Sequence, residues 1–307
     1  MVVYDNVMAR SRITDKSETR HDSAPPRGNL PEWSVSELSA APQSVTQIRL
    51  LLREIEGSAL NGASLTELRD RLGPLLIGYP TATMRISGPI YRGRKLQGSI
   101  FSNISDLWYP PDDVVSQGRV NQVGKPIFYC SDHHFTVTRE MAPRVGDTIA
   151  ILRFELKENS ELPHVFCIGN AKSILRHGID AFGKKVAPSV DLRRFPQRIR
   201  EHSALIDGFF ARVFRSTGSS YFNLTNTISQ QYLNPVWVDG LTYPSVHPEG
   251  SMNMALKTAA VDRLYTPESV FLTKTERIFG ANKLKMRCVG TANIRSDGKL
   301  EWSFGRQ

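Results

Sequence analysis

Apolar residues first recur at helical spacing near residue 45. Val45, Ile48, Leu52 and Ile55 fall on one face, Ser44 with Gln47 makes a capping box, and Gly57 is expected to end the helix. The signal repeats at Ser64 and Glu67, followed by Leu68 and Leu72, with Gly73-Pro74 expected as the stop. Residues 1–41 show no period and are rich in Ser, Pro and charge. They read as a flexible arm, with Trp33 and Leu38 as candidate anchors. The pattern divides the chain into an arm (1–41), a helical extension (42–83) and a main domain (84–307).

Within the main domain the period changes repeatedly. Ile127 to Cys130 is a short apolar run behind Gly124 and Pro126, as for a buried strand. Residues 133–141 read as a helix and residues 148–156 (TIAILRFEL) as a strand. Residues 197–214 and 221–233 read as helices, the second carrying Leu224, Ile228, Tyr232 and Leu233. Trp237 to Tyr243 looks like a strand entering a turn at Pro244. Lys285 to Ile294 and Lys299 to Phe304 flank Ser296-Asp297-Gly298, a hairpin signal. Strands and helices do not alternate strictly, so the fold class is α+β rather than doubly wound. There is no internal repeat.

Charge adds one feature. The 307 residues carry a net +9, with pI near 9.6, a balance that attracts polyanions. Residues 171–216 hold ten Lys or Arg against four Asp or Glu, including Lys184, Lys185, Arg193, Arg194, Arg198 and Arg200. They read as a basic helical insertion, either a solvated face or a dock for an acidic partner. Cys130, Cys167 and Cys288 are too scattered for a zinc site or a disulfide framework, and unpaired thiols suit a reducing cytoplasm. The first residues lack a secretory pattern, and no run approaches the ~20 apolar residues that span a bilayer.

Several familiar motifs are missing. There is no GxxxxGK[ST] loop, no GxGxxG after a strand and no HExxH. His133-His134 would diverge on a helix, so no metal is expected there. STGSS at 216–220 is a polar loop before a helix. Phe209 and Phe210 sit at helical spacing and are expected in the core, as is Phe195.

Four segments carry the chemistry. They are YRGR at 91–94, LWYPP at 107–111 leading into GRVNQVGKPIFYCS at 118–131, TVTRE at 136–140, and DGLTYPSVHPEGSMNMAL at 239–256. They supply guanidinium groups (Arg92, Arg94, Arg119), a tyrosine ending an apolar run (Tyr129), a helical carboxylate (Glu140) and a hydroxyl at a turn (Ser245). His247 lies too close in sequence to Ser245 for the usual triad geometry. Arginine forks match phosphate oxygens bidentately, and a carboxylate beside an anomeric carbon stabilises an oxocarbenium-like transition state. The set suits an anionic substrate with a scissile glycosidic bond.

In order and wording these segments resemble the RES-domain family, named for an Arg, a Glu and a Ser. The likeness rests on Tyr91-Arg92; on Gly118, Arg119, Asn121, Gly124, Pro126 and Tyr129; on Thr136 to Glu140; and on Asp239 to Ser245 with Asn253 to Leu256. The helix departs from the family wording at Val137, and Arg94 rivals Arg92 for the first role. The resemblance implies an ADP-ribosyltransferase-like mixed sheet and a toxin of a toxin–antitoxin pair that consumes NAD⁺ by hydrolysis, phosphorolysis or ADP-ribosyl transfer. It implies Arg92, Glu140 and Ser245 as catalytic residues. Arg92 with Arg119 would hold the pyrophosphate, and Tyr129 would contact the nicotinamide side. NAD enters as substrate, no metal is expected, and an antitoxin or immunity protein is a possible partner, in the cytoplasm and without a membrane. Two other readings stand beside it: a mono-ADP-ribosyltransferase acting on a macromolecule, and a non-catalytic protein whose basic stretch holds an acidic partner.

Overall fold

The structure, a computed structural model, describes residues 44–76, 82–169, 196–245, 252–279 and 283–305. Two helices open it, α1 (Val45–Leu60) and α2 (Leu65–Leu76). Strands β1 (Ala82–Arg85) and β2 (Ile90–Lys95) follow, then 3-10 turns at Ile104–Leu107 and Asp112–Val114. Next come β3 (Ile127–Ser131), α3 (His134–Glu140), β4 (Thr148–Leu156) and β5 (His164–Cys167). Helices α4 (Gln197–Arg215) and α5 (Phe222–Leu233) lead to β6 (Gly240–Pro244) and β7 (Met252–Lys257). Helix α6 (Thr258–Leu264) precedes β8 (Tyr265–Ile278), β9 (Leu284–Ile294) and β10 (Leu300–Phe304).

The strands form one ten-stranded sheet in the order β1-β5-β6-β7-β3-β2-β4-β8-β9-β10. All pairs are antiparallel except β5–β6. The protein is therefore mixed α and β with a mostly antiparallel sheet. Each face of the sheet buries its own core. On one face Leu241, Tyr243 and Ala255 pack under α1, α2, α4 and α5 through Ile55, Leu68, Leu72, Phe210, Phe214 and Ile228. The 44–76 helices therefore share a core with the sheet. On the other face Phe128, Leu152, Phe154, Met254 and Leu256 pack under α6 and the segment around Leu107 and Trp108. No helix among the described residues is long and apolar enough to cross a membrane.

Both expected helix stops are overrun. Helix α1 continues through Gly57 to Leu60 and is capped at Asn61, before Gly62 at φ +84°. A glycine costs a helix about 1 kcal/mol, and running on buries Ala59 beside Ile55. Helix α2 holds Pro74 in its last turn, where one lost N–H bond is offset by burying Leu75. Strand β4 spans the residues expected of it, and α3, α4 and α5 each agree within about a residue or two. Phe209 and Phe210 are buried, as their spacing implies. Lys184, Lys185, Arg193, Arg194, Phe195 and His247, with most of the basic stretch and the N-terminal arm, lie outside the described residues; Arg198 and Arg200 are exposed on α4.

Candidate active site

Strand pairing decides which motif residues share a face. Directly opposed residues in antiparallel strands point the same way. Tyr243 opposes Asn253, Asn253 opposes Ser131, and Ser131 opposes Tyr91, so these four form a row across β6, β7, β3 and β2. Tyr129, opposite Ala255, lies two residues from Ser131 on the same face. Helix α3 lies on this face too. A Cβ at Gly93 would stand 2.5 Å from the Val137 side chain, so glycine is what lets the helix approach β2.

The end of α3 delivers Glu140 to this face, and Ser245, just past β6, meets it. The Ser245 hydroxyl donates to Glu140 Oε1, joining residues 105 apart in sequence. Ser245 is 1% exposed and Glu140 is half-buried. Tyr243, two residues before Ser245, is 3% exposed, and burial pushes its phenol well above the usual range. Tyr129, Arg119, Glu140 and Cys130 all bear electrostatically on that phenol.

Tyr129 is held at its tip. Its hydroxyl donates to Asn121 Oδ1 at 2.8 Å and accepts from the Val120 N–H at 2.9 Å. Burial pushes its phenol up to about 12, so it stays protonated. Asn121 donates in turn to the Ser116 and Gln122 carbonyls. Asn226 on α5 donates to the Gly118 carbonyl at 2.6 Å. These bonds fix the 116–122 loop and so aim Arg119. Arg119 Nη2 donates to the Ser216 carbonyl at 2.9 Å, while its buried Nε has no partner among the described residues.

Arg92 stands apart. It alternates with Tyr91 and Gly93, so it projects to the opposite face, over the Phe128 ring at 5.2 Å. Strands β2 and β3 pair in register at only Tyr91 and Ser131, whereas β2 and β4 pair over six residues. The Arg92 guanidinium bridges the splay: Nη1 donates to the Tyr129 carbonyl at 2.9 Å and Nε to the Leu107 carbonyl at 3.1 Å. Burial lowers its pKa to about 10, which leaves it charged at neutral pH. Arg94, on the same face, is exposed and donates to the Asp106 carbonyl.

The structure thus joins Glu140 to Ser245, sets Tyr129 on the same face of the sheet with its tip bonded to the loop that carries Arg119, and holds Arg92 on the opposite face. Tyr243, Asn121 and Asn226 join the site although the motifs assign them no role. Tyr243 was open to discovery, because two residues before Ser245 on a strand is the same face. Asn226 carries no local signal. His133 caps α3 rather than lying within it, and its ring stacks on His134 at 4.6 Å instead of diverging. No group of three or more His, Cys, Asp or Glu that could hold a metal occurs among the described residues. The chain matches no protein-family model, no curated protein and no solved structure.

Proposed function

We propose that the protein is an NAD⁺-consuming enzyme of RES type that cleaves the nicotinamide–ribose bond, on an ADP-ribosyltransferase-like framework. The observation that carries the reading is the Glu140–Ser245 hydrogen bond, which unites the carboxylate and the hydroxyl of two separate motifs on the sheet face that carries Tyr129 and Tyr243. Charge in the transition state fits the site. The C–N bond breaks, its electron pair leaves with neutral nicotinamide, and ribose C1′ becomes oxocarbenium-like. The Glu140 carboxylate faces that cation, and Ser245 fixes its rotamer. The half-buried Tyr129 offers ring surface to the nicotinamide, with the buried Tyr243 packed beneath the site. A water or phosphate then adds at C1′ and gives up a proton.

The pyrophosphate role falls to Arg119, whose Nε has no partner among the described residues, rather than to Arg92, whose Nε and Nη1 already hold carbonyls. Arg92 becomes a positioning residue that holds the Tyr129 backbone from the far face of the sheet. Such a toxin-like enzyme would act on cytoplasmic NAD⁺ and be held by an antitoxin or immunity protein. The test is incubation of the full chain with NAD⁺ and chromatography of the products. Free nicotinamide that vanishes with Glu140→Gln supports the reading. Label from NAD⁺ on a macromolecule favours the mono-ADP-ribosyltransferase. No turnover in wild type removes both.

A further inference from the structure

Strands β8 and β9 outrun the rest of the sheet. Strand β4 pairs with β8 only as far as Thr148 opposite Lys274, and the 146–147 turn reaches Thr275. Beyond that, among the described residues, β8 and β9 pair only with each other, out to Ile278 opposite Leu284, and Phe279 N–H closes on the Lys283 carbonyl at 2.7 Å. This ribbon carries Lys274, Arg277, Lys283, Lys285 and Arg287 against a single carboxylate, Glu276, and all five cations are exposed.

The register sorts these charges. Lys274 opposes Arg287 and Arg277 opposes Lys285, with a bulge in β8 at Glu276. Opposed residues share a face, and Lys285 and Arg287 lie two apart on β9, so all four cations lie on one face. Glu276 lies among them, 2.9 Å from both Lys285 Nζ and Arg287 Nε. The other face buries Thr275 and Leu284, and Thr275 Oγ1 lies 3.2 Å from Met286 Sδ. Like charges placed directly across a strand pair destabilise it. Two such pairs in sequence, with one carboxylate between them, cost the free protein stability, and a polyanion laid on this face would relieve that cost.

We propose that this face of the β8–β9 ribbon binds the phosphate backbone of B-form duplex DNA. Two strands about 4.8 Å apart fit a major groove about 12 Å wide, which admits a two-stranded ribbon. The groove of A-form RNA is too deep and narrow for one. An anionic membrane is the competing polyanion, but the apolar residues that would anchor it lie off the cationic face. The exposed Ile278 opposes Leu284 on the other face, and Phe279 stands alone at the tip.

The test is fluorescence anisotropy of the full chain with a labelled mixed-sequence DNA duplex across a salt series. Wild type is expected to bind with a steep salt dependence. Replacing Lys274, Arg277, Lys285 and Arg287 by Gln should lower affinity at least tenfold and flatten the slope by about 3–4, roughly one for each phosphate no longer neutralised. Removing the same charge from the exposed Arg49, Arg53, Arg69 and Arg71 by Gln should leave both within about twofold. The fourfold ribbon variant should melt no lower than wild type, because its opposed like charges are gone. Should it melt lower, the double variants Lys274→Gln/Arg287→Gln and Arg277→Gln/Lys285→Gln carry the test, each flattening the slope by about 2. Equal losses from the helical variant would reduce the effect to net charge and overturn the assignment. So would absence of duplex binding, tighter binding to single-stranded RNA, or binding confined to phosphatidylserine vesicles and lost with Phe279→Ser. NAD⁺ turnover is a separate readout and should not follow the ribbon substitutions.

Discussion

The Ser245 hydroxyl donates to the Glu140 carboxylate, so the end of a short helix and the end of a central strand are tied at a single point. A hydrogen bond to a charged group contributes about 1.5–3 kcal/mol. If that bond orients Glu140 for catalysis, the two residues act as a unit. Glu140→Gln should lower kcat for nicotinamide release on the order of 10²–10³-fold, as removal of one electrostatic stabiliser does. Ser245→Ala should cost about tenfold or more, and the double variant far less than the product of the two. Strictly multiplicative losses in a steady-state double-mutant cycle would separate the residues functionally.

Arg92→Lys should be a stability variant before it is a binding variant. One ammonium cannot reproduce the fork that reaches both the Leu107 and Tyr129 carbonyls. Leaving one of them unsatisfied should cost roughly 2–3 kcal/mol, read by urea denaturation. Arg94→Lys, at an exposed site, should stay within about 0.5 kcal/mol. An Arg92→Lys protein of wild-type stability with a much raised KM for NAD⁺ would return Arg92 to the substrate.

What is legible in the sequence follows from the range of the interactions. Local periodicity marks β4, α3, α4 and α5, because a packed face repeats within each. Strand β8 leaves no such mark. Its fourteen residues mix buried Val270 and Leu272 with exposed Lys274 and Arg277 across two bulges, so no clean alternation survives. The same irregularity hides the basic ribbon, whose cations converge only once β8 and β9 are in register, while the charge run at 171–216 is plain in the sequence. At the site, motif wording singles out Glu140, Ser245, Tyr129 and Arg119. Their faces are not legible, and neither is the splay of β2 from β3 that turns Arg92 away. Asn226 reaches Gly118 across 108 residues, a contact that only the packing of α5 creates.

Gly118 tests how firmly the 116–122 loop supports Arg119. A Cβ there would lie 2.4 Å from Asn121 Oδ1 and 2.9 Å from the Tyr129 hydroxyl. Gly118→Ala must therefore break or displace the Tyr129–Asn121 bond. Protein stability should fall by roughly 1–3 kcal/mol. In the proposed enzyme, KM for NAD⁺ should rise more than kcat falls, since the loop carries the anion ligand rather than the carboxylate. Tyr129→Phe should reproduce the stability loss in part. An unchanged melt and unchanged kinetics in Gly118→Ala would mean the loop is loose in solution.

His134 gives the fold a pH dependence whose sign can be worked out. Its ring lies in aromatic surroundings, 5.6 Å from Tyr91 and 6.1 Å from Phe271, and it stacks on His133. Burial, with His133 alongside, lowers its pKa to about 4 from an ordinary 6.5. The unfolded chain therefore binds a proton between those values that the folded chain refuses. The stabilisation is complete above about pH 6.5 and is lost as the pH falls toward 4. With allowance for partial solvent exposure, the loss by about pH 4.5 should be on the order of 2 kcal/mol. His134→Phe keeps an aromatic ring against Tyr91 and Phe271 and removes the titration. Urea denaturation at about pH 7.5 and about pH 4.5 should show wild type losing about 2 kcal/mol more than the variant between the two. The same loss in both proteins would assign the acid sensitivity to other groups and leave His134 as packing alone.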